Sequence, residues 1–324
     1  MTHAIRFHKA GGPEVLVWEE VNVGKPGAGE ARIRHTAVGL NFVDIYNRSG
    51  VYPLALPSGL GGEGAGVVEE IGPGVTDLKV GDRVAYGAAP LGAYSEARLI
   101  PAERLLKLPD GIDDKTAAAM MLKGLTVQYL IRQTYRVKAG DTILLHAAAG
   151  GVGLILSQWA KHLGATVIGT VGNDEKAALA KAHGCAHTIV YSREDFVKRV
   201  DEITGGKKVP VVYDSVGKDT FLKSLDCLAP LGVAALFGQS SGGVEPLNLG
   251  LLAQKGSLYV TRPTLNTYAA KAENLRAMAK ELFEVVVSGA VKINVNQTYA
   301  LKDAAKAHAD LAARKTTGST VFMV

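Results

Sequence analysis

The sequence predicts an α/β protein: a doubly wound, six-strand parallel sheet joined to an antiparallel β region of similar length. Three observations carry this. Of 324 residues, 47% are hydrophobic, 6% are aromatic and 38 are glycine, the composition of a Gly/Ala/Val-rich globular chain. Short alternating segments broken by Gly and Pro fill residues 1–122, and the period then changes. From residue 141 continuous apolar strands alternate with helical stretches, as expected when helices cover both faces of a parallel sheet.

In the first region, alternation at 31–38 and 66–71 is punctuated by turn signals at Gly11-Gly-Pro13, Lys25-Pro-Gly27, Gly72-Pro-Gly74 and Gly81-Asp82. The second offers strands at 142–146, 166–171, 188–191, 209–214, 233–237 and 257–261. Helices fall between them, one running to 164, one at 176–182, one from Glu194 and one after Gly217. Beyond Pro263 an amphipathic helix carries Leu275, Met278, Leu282, Val285 and Val286 and stops at Gly289. A helix at 304–313 and a strand at 320–324 close the chain. That tail is too small for its own core, so it is expected to pack back on the first domain. The implied domains are 1–123, 124–263 and 264–324.

Composition also excludes. Two cysteines, Cys185 and Cys227, are too few for a disulfide framework or a zinc knuckle and are expected to be reduced and partly buried. A net charge of +5 suits anionic ligands, but no block of Lys/Arg marks a nucleic-acid surface. No apolar run is long enough to span a membrane, and the first residues enter a strand pattern without a signal-peptide core. A cytoplasmic protein is expected.

The chemistry-bearing motif is His146-Ala-Ala-Ala-Gly-Gly-Val-Gly153, which leaves a strand and enters a helix. Gly150, Gly151 and Val152 sit where the backbone turns tightly, and free N–H groups at a helix start attract a pyrophosphate. This marks a Rossmann dinucleotide site. The next strand ends Gly169-Thr-Val-Gly-Asn173 with no carboxylate to bind a ribose 2′-OH. Lys176 follows within a turn and Tyr191 ends the third strand, so with Gly172 and Asn173 they can surround a 2′-phosphate. NADPH is favoured over NADH, although Asp174 and Glu175 count against it and Lys176 has a plain reading as a solvated helix residue.

Several ordered segments carry a family resemblance: Gly39-Leu-Asn-Phe-Val-Asp-Ile-Tyr46, Arg48-Ser-Gly-Val-Tyr52, Gly62-Glu-Gly-Ala-Gly-Val-Val68, Val80-Gly-Asp-Arg-Val84, Lys123-Gly-Leu-Thr126 and Asp214-Ser-Val-Gly217. With the Gly-rich turn, they resemble the zinc-free, zeta-crystallin-like NADPH:quinone oxidoreductases of the medium-chain dehydrogenase/reductase superfamily. The resemblance implies a GroES-like catalytic domain before the Rossmann domain, and a C-terminal segment returning to it. Zinc members of the superfamily carry a Cys in the first motif and a His before the Glu of the third, whereas this sequence has Asn41, Phe42 and Gly62 there. No metal site is expected. His183 and His187, the most suggestively spaced histidines, read better as structural.

The resemblance further implies that Asn41, Tyr46 and Tyr52 orient the acceptor and donate hydrogen bonds or a proton. Each has a plain alternative, a helix cap for Asn41 and half-buried packing for the tyrosines. Cofactor contacts are implied for Asn41, Phe42, Tyr46, Thr126, Ser215, Phe237, Gly238, Gln239, Ser240, Pro263, Leu265 and Arg314. The expected activity is metal-free hydride transfer to a quinone, whose aromatic hydroquinone product needs no Lewis acid. Two rivals stand beside it: reduction of an enone or alkenal double bond, and a crystallin-like structural or AU-rich RNA-binding role. The apolar strand at 257–261 would leave an unpaired sheet edge, so a homodimer through it is expected.

Overall fold

The structure is a computed structural model that describes residues 2–324. Its contacts group the chain into two units: residues up to 125 with 268–287 and 293–324, and residues 126–267 with 288–292.

In the first unit β1 (Thr2–Phe7) pairs antiparallel with β2 (Val17–Val21). β3 (Glu30–Leu40) buries Ala31, Ile33, His35 and Ala37 in strict alternation, then buries Val38 and Leu40 as well. Helix α1 (Phe42–Ser49) follows at once, and β4 (Ser58–Gly59) joins β1. β5 (Glu63–Ile71) and β7 (Ala97–Pro101) pair with β3, β6 (Arg83–Gly87) with β5, and β8 (Leu106–Lys107) with β6, all antiparallel. α2 (Asp114–Tyr129) comes next.

Two helices therefore interrupt a stretch whose sequence reads as β throughout. In α2 five successive residues, Ala117, Ala118, Ala119, Met120 and Met121, are buried, so apolar positions cover every face and no 3.6-residue stripe betrays the helix. α1 is short, and its one advance signal is Asn41 at the N-cap, whose N–H donates to Asp44 Oδ2 at 2.9 Å.

The second unit runs β9 (Thr142–Leu145), α3 (Gly151–His162), β10 (Thr166–Val171), α4 (Asp174–Ala182), β11 (Cys185–Val190) and α5 (Phe196–Thr204). It continues with β12 (Val209–Asp214), α6 (Phe221–Ser224), β13 (Leu228–Leu236), α7 (Gly250–Gln254) and β14 (Tyr259–Thr261). All strand pairs are parallel, in the order β11-β10-β9-β12-β13-β14. Chain direction across the sheet reverses between β9 and β12, the point at which such sheets bind ligands.

Element ends differ from the sequence expectation for local reasons. Asp195, not Glu194, caps α5, accepting from the Val197 and Lys198 N–H groups, while Glu194 accepts from the Val190 N–H. Ser257 has a left-handed φ of 55°, so the last strand begins two residues later than its apolar run. Cys185 on β11 and Cys227 before β13 are both buried thiols; burial pushes them up to about 11 and about 12.

The tail adds α8 (Leu265–Tyr268), α9 (Ala272–Val287), β15 (Val295–Ala300), α10 (Ala304–Ala312) and β16 (Ser319–Met323). β16 lies antiparallel on β3, and β15 lies parallel on β16, giving the order β15-β16-β3-β5-β6-β8 with β7 also on β3. Arg104 fixes the approach to α9, donating to the carbonyls of Ala269 and Ala270 at 2.7 and 3.0 Å. Leu275, Met278 and Leu282 are the buried stripe of α9.

A polar chain ties α10 to α1 inside this unit. Arg48 donates to His308 Nδ1 (3.2 Å), His308 Nε2–H donates to the Tyr94 hydroxyl (3.1 Å), and that hydroxyl donates to Asp44 Oδ2 (2.9 Å). The tautomer follows from the network, since arginine cannot accept. Burial and the Arg48 charge lower His308 to about 3, and burial lowers His35 to about 3. Both are neutral when folded but take up protons when unfolded below about pH 6.5, so stability falls as pH drops from there toward 3. Asp44, raised by burial to about 7, works the other way: it favours the folded state at low pH and loses that contribution as pH rises to about 7. His308→Gln should therefore flatten the acid-side loss by about 1.4 kcal/mol per pH unit over that window. Urea titrations of both proteins between pH 4 and about 7 read the difference, and parallel curves would contradict the network.

Candidate active site

On the first unit the site grows from the β3-to-α1 junction. Asn41 is buried at the α1 N-cap, and its side-chain Nδ2 donates to Glu63 Oε2 at 2.7 Å. Glu63, the first residue of β5, is wholly buried; its Oε1 accepts the Leu122 N–H at 2.8 Å and its Oε2 accepts Lys123 Nζ at 2.8 Å. Gly39 makes this approach possible: a Cβ there would stand 2.2 Å from Glu63 Oε2 and 2.3 Å from the Ala118 carbonyl. Along α1 the rings of Phe42 and Tyr46 lie 5.4 Å apart, and Tyr46 meets Tyr52 edge-on at 5.2 Å. The Tyr52 N–H donates to the Tyr46 carbonyl at 3.0 Å, which fixes the loop carrying the second phenol.

The structure thus brings together Asn41, Phe42, Tyr46 and Tyr52, an amide and two phenols against an apolar ring. Such groups hydrogen-bond a carbonyl and exclude water from it. The plain reading of Asn41 as a helix cap also holds, so one residue caps α1 and presents its amide. At the positions where zinc dehydrogenases carry thiolate and imidazole stand Asn41, Phe42 and Gly62. Among the described residues no cluster of three His, Cys, Asp or Glu is placed to hold a metal ion. His183 Nδ1–H donates to the Leu179 carbonyl at 2.7 Å, and His187 is exposed on β11.

On the second unit a separate group of residues lies at the strand ends. β9 gives way to a turn in which Ala147 is left-handed (φ 55°) and the Gly150 N–H donates to the Ala147 carbonyl at 3.0 Å. Gly150 is the N-cap of α3 and supplies no side-chain cap, so the first-turn N–H groups face outward for an anion. A Cβ on Gly153 would stand 2.5 and 2.6 Å from the carbonyls of Ala147 and Ala148, so only glycine closes this turn. An extended dinucleotide fits such a bare helix start at the sheet's reversal point.

At the end of β10, Asn173 caps α4, accepting the Lys176 N–H at 2.9 Å. Tyr191 is pinned beside it by its N–H to the Val171 carbonyl (3.1 Å), and its hydroxyl lies 3.4 Å from where a Gly172 Cβ would be. Two residues that sequence reasoning missed complete the corner. Ser192 Oγ donates to the Gly172 carbonyl at 3.1 Å, and Arg193 binds Asp174 through both guanidinium nitrogens at 2.7 and 2.5 Å. Arg193 holds the Asp174 carboxyl below its ordinary range, neutralising the charge that counted against a 2′-phosphate. It stands two residues beyond Tyr191 in the same strand-to-helix loop, but its partner Asp174 lies 19 residues earlier.

The remaining expected contacts distribute as follows. Ser215 and the segment 237–240 abut, with the Ser240 N–H on the Ser215 carbonyl at 3.1 Å and the Phe237 N–H on the Asp214 carbonyl at 2.8 Å. Beneath them a buried net fixes three strand ends: His146 bridges Thr170 Oγ1 and Ser224 Oγ, both at 2.8 Å, and Thr220 Oγ1 donates to Asp214 Oδ2 at 2.7 Å. Thr126 is buried on α2, Pro263 is buried past β14, and Leu265 opens α8. Arg314 belongs to the first unit, exposed just past α10 with a left-handed φ of 59°. Glu63 and Lys123 were likewise unassigned from sequence, although a lysine embedded in an otherwise apolar helical run must find a counter-charge.

Residues 27–110 match the alcohol dehydrogenase GroES-like domain and residues 151–288 the zinc-binding dehydrogenase family. The quinone oxidoreductase of Pseudomonas aeruginosa is 59% identical over 324 residues, all of both chains. A 2-haloacrylate reductase from Burkholderia is 51% identical, covering 100% of this chain and 99% of its own. The crystal structure of Escherichia coli quinone oxidoreductase complexed with NADPH superposes with a TM-score of 0.98 at 52% identity, covering 100% of both chains. With more than half of its residues shared from end to end, and an amide standing where zinc relatives hold a thiolate, the chain belongs to the quinone oxidoreductase family of the medium-chain dehydrogenase/reductases.

Proposed function

We propose that the protein is an NADPH-dependent quinone reductase that transfers hydride without a catalytic metal. The observation carrying this reading is the Asn41 amide, held by Glu63 at the position of a zinc-bound thiolate and grouped with Phe42, Tyr46 and Tyr52. An amide hydrogen-bonds an acceptor but cannot polarise an alcohol as a metal does, which suits a substrate whose product is a delocalised hydroquinone. Bound NADPH supplies the hydride from its nicotinamide ring. Asn41 orients the acceptor, and Tyr46 and Tyr52 hydrogen-bond or protonate its oxygen. Gly150, Gly151 and Val152 receive the pyrophosphate; Gly172, Asn173, Lys176 and Tyr191 receive the phosphorylated ribose. Ser215, Phe237, Gly238, Gln239, Ser240, Pro263 and Leu265 line the crevice, with Phe42, Thr126 and Arg314 as further contacts. The name of the Pseudomonas relative supports the substrate class, and the NADPH complex of the Escherichia coli neighbour supports the cofactor.

One observation favours a second reading: the Burkholderia relative, at 51% identity, is named for reduction of a haloacrylate, an electron-poor double bond. Steady-state NADPH oxidation with naphthoquinone, phenanthrenequinone and α,β-unsaturated aldehydes, with and without a chelator, separates the two. Turnover should be fastest with quinones and indifferent to the chelator. Preference for the aldehydes would move the assignment to the double bond.

Arg193 and Lys176 set cofactor choice in this reading. Arg193→Ala and Lys176→Ala should each raise KM for NADPH about tenfold, the worth of one partly exposed charge-assisted contact, and leave KM for NADH nearly unchanged. Equal effects on both cofactors would remove the 2′-phosphate from this corner.

β14 is an edge strand with Tyr259 and Val260 exposed, and we assign it to pairing with a two-fold mate. Light scattering should give the mass of a homodimer; a monomer at micromolar concentration would refute the pairing. No helix among the described residues is long and apolar enough to cross a membrane, which fits work in the cytoplasm.

A further inference from the structure

Lys123 and Glu63 form an ion pair with side chains 7% and 0% exposed, deeper than any other in the molecule among the described residues. Stability does not account for it. Desolvating two charges costs several kcal/mol each, and an apolar pair of the same shape commonly does as well or better. What the pair does do is geometric: the oxygen that accepts the Lys123 ammonium at 2.8 Å also accepts the Asn41 side-chain N–H at 2.7 Å. The other oxygen is fixed by the Leu122 N–H at 2.8 Å.

A carboxylate only accepts hydrogen bonds, whereas a neutral carboxylic acid or a carboxamide both donates and accepts. Facing a carboxylate, the Asn41 amide can sit one way only, nitrogen inward. Facing a carboxamide it can turn over and accept through Oδ1. We propose that Glu63 and Lys123 are positioning residues for the reduction: Lys123 holds Glu63 Oε2 in place, and Glu63 thereby locks the Asn41 amide in the single orientation it presents to the acceptor. This rests on the assignment of Asn41 to the acceptor made above. Gly39 supports it, since any larger residue there would push the carboxylate off the amide.

Other groups around the pair are few. Asp44 on α1 feels both Lys123 and Glu63, and burial raises it to about 7. Tyr86 on β6 and Tyr94 before β7 feel Glu63 and are raised by burial, so both stay neutral phenols. His35 on β3 bonds the Tyr86 hydroxyl at 2.8 Å and is neutral, and Arg98 on β7 stacks over the Tyr86 ring at 5.5 Å. Lys123 is therefore the cation hydrogen-bonded to Glu63.

The test compares kcat and KM of Lys123→Met, Lys123→Arg, Glu63→Gln and the Glu63→Gln/Lys123→Met double variant, with NADPH affinity followed by fluorescence. Lys123→Met should lose about 100-fold in kcat near neutral pH, the scale of a misplaced contact group, with NADPH affinity intact. Glu63→Gln and the double variant should be equally slow, and Lys123→Arg, which keeps a cation on the carboxylate, should be close to wild type. If Lys123→Met does not fold, the double variant, neutral on both sides, carries the same prediction for kcat. Wild-type kcat in either Lys123→Met or the double variant, or losses that follow only melting temperature, would overturn the proposal. The variants are compared on whichever acceptor the wild type reduces fastest. A wild type that prefers alkenals thus refutes the quinone assignment alone, and unchanged variants refute the positioning alone.

Discussion

The buried carboxylate of Glu63 gathers donors from two places in the chain: the Leu122 N–H and Lys123 ammonium of α2, and the Asn41 amide at the β3-to-α1 junction. Because it stands at the head of β5, it joins the sheet to α1 and α2 at one point. Gly39 exists there as a gap in the side-chain packing that the carboxylate fills. The neighbouring chain of Asp44, Tyr94, His308 and Arg48 then ties α10 to the same helix, so the tail is anchored within a few residues of the amide. Polar burial on this scale is tolerable because nearly every group has its partner; within this network Asp44 Oδ1 lacks one, on a carboxyl that burial favours keeping protonated.

The second unit meets the opposite demand, for it has to leave groups unsatisfied. Parallel strands ending together expose helix starts, and α3 begins at a residue with no side chain to cap it. The hydrogen-bond net from His146 to Asp214 holds the strand ends rigid while that helix start stays bare. Closing the first turn internally would have stabilised the helix and removed the anion site.

Much of this was legible in the chain because the second unit obeys periodic rules. Each of the six parallel strands overlaps an expected apolar run, although β11 and β13 begin three and five residues before theirs, and Gly150 with its neighbours lies at the turn that its spacing indicates. Asn41, Phe42, Tyr46 and Tyr52 could be singled out through family motifs, and the fold groups them. The misses have a common cause. α2 is buried on every face, so it lacks the stripe that periodicity detects, and with it went the role of Lys123, which makes sense only once its surroundings are known to be dry. Arg193 was hidden differently: its partner, Asp174, lies 19 residues earlier across a crossover, and only the parallel register brings them together.

The two thiols gain a meaning from the chemistry around them. Quinones and activated alkenes are Michael acceptors, and the thiolate form of cysteine is the nucleophile that adds to them. Cys185 and Cys227 are buried, with ionisation pushed up to about 11 and about 12, so almost no thiolate exists at neutral pH. A catalyst that spends its life among arylating compounds carries no side chain of that type for them to arylate while it remains folded, and its own substrate becomes a poison only when the second unit opens.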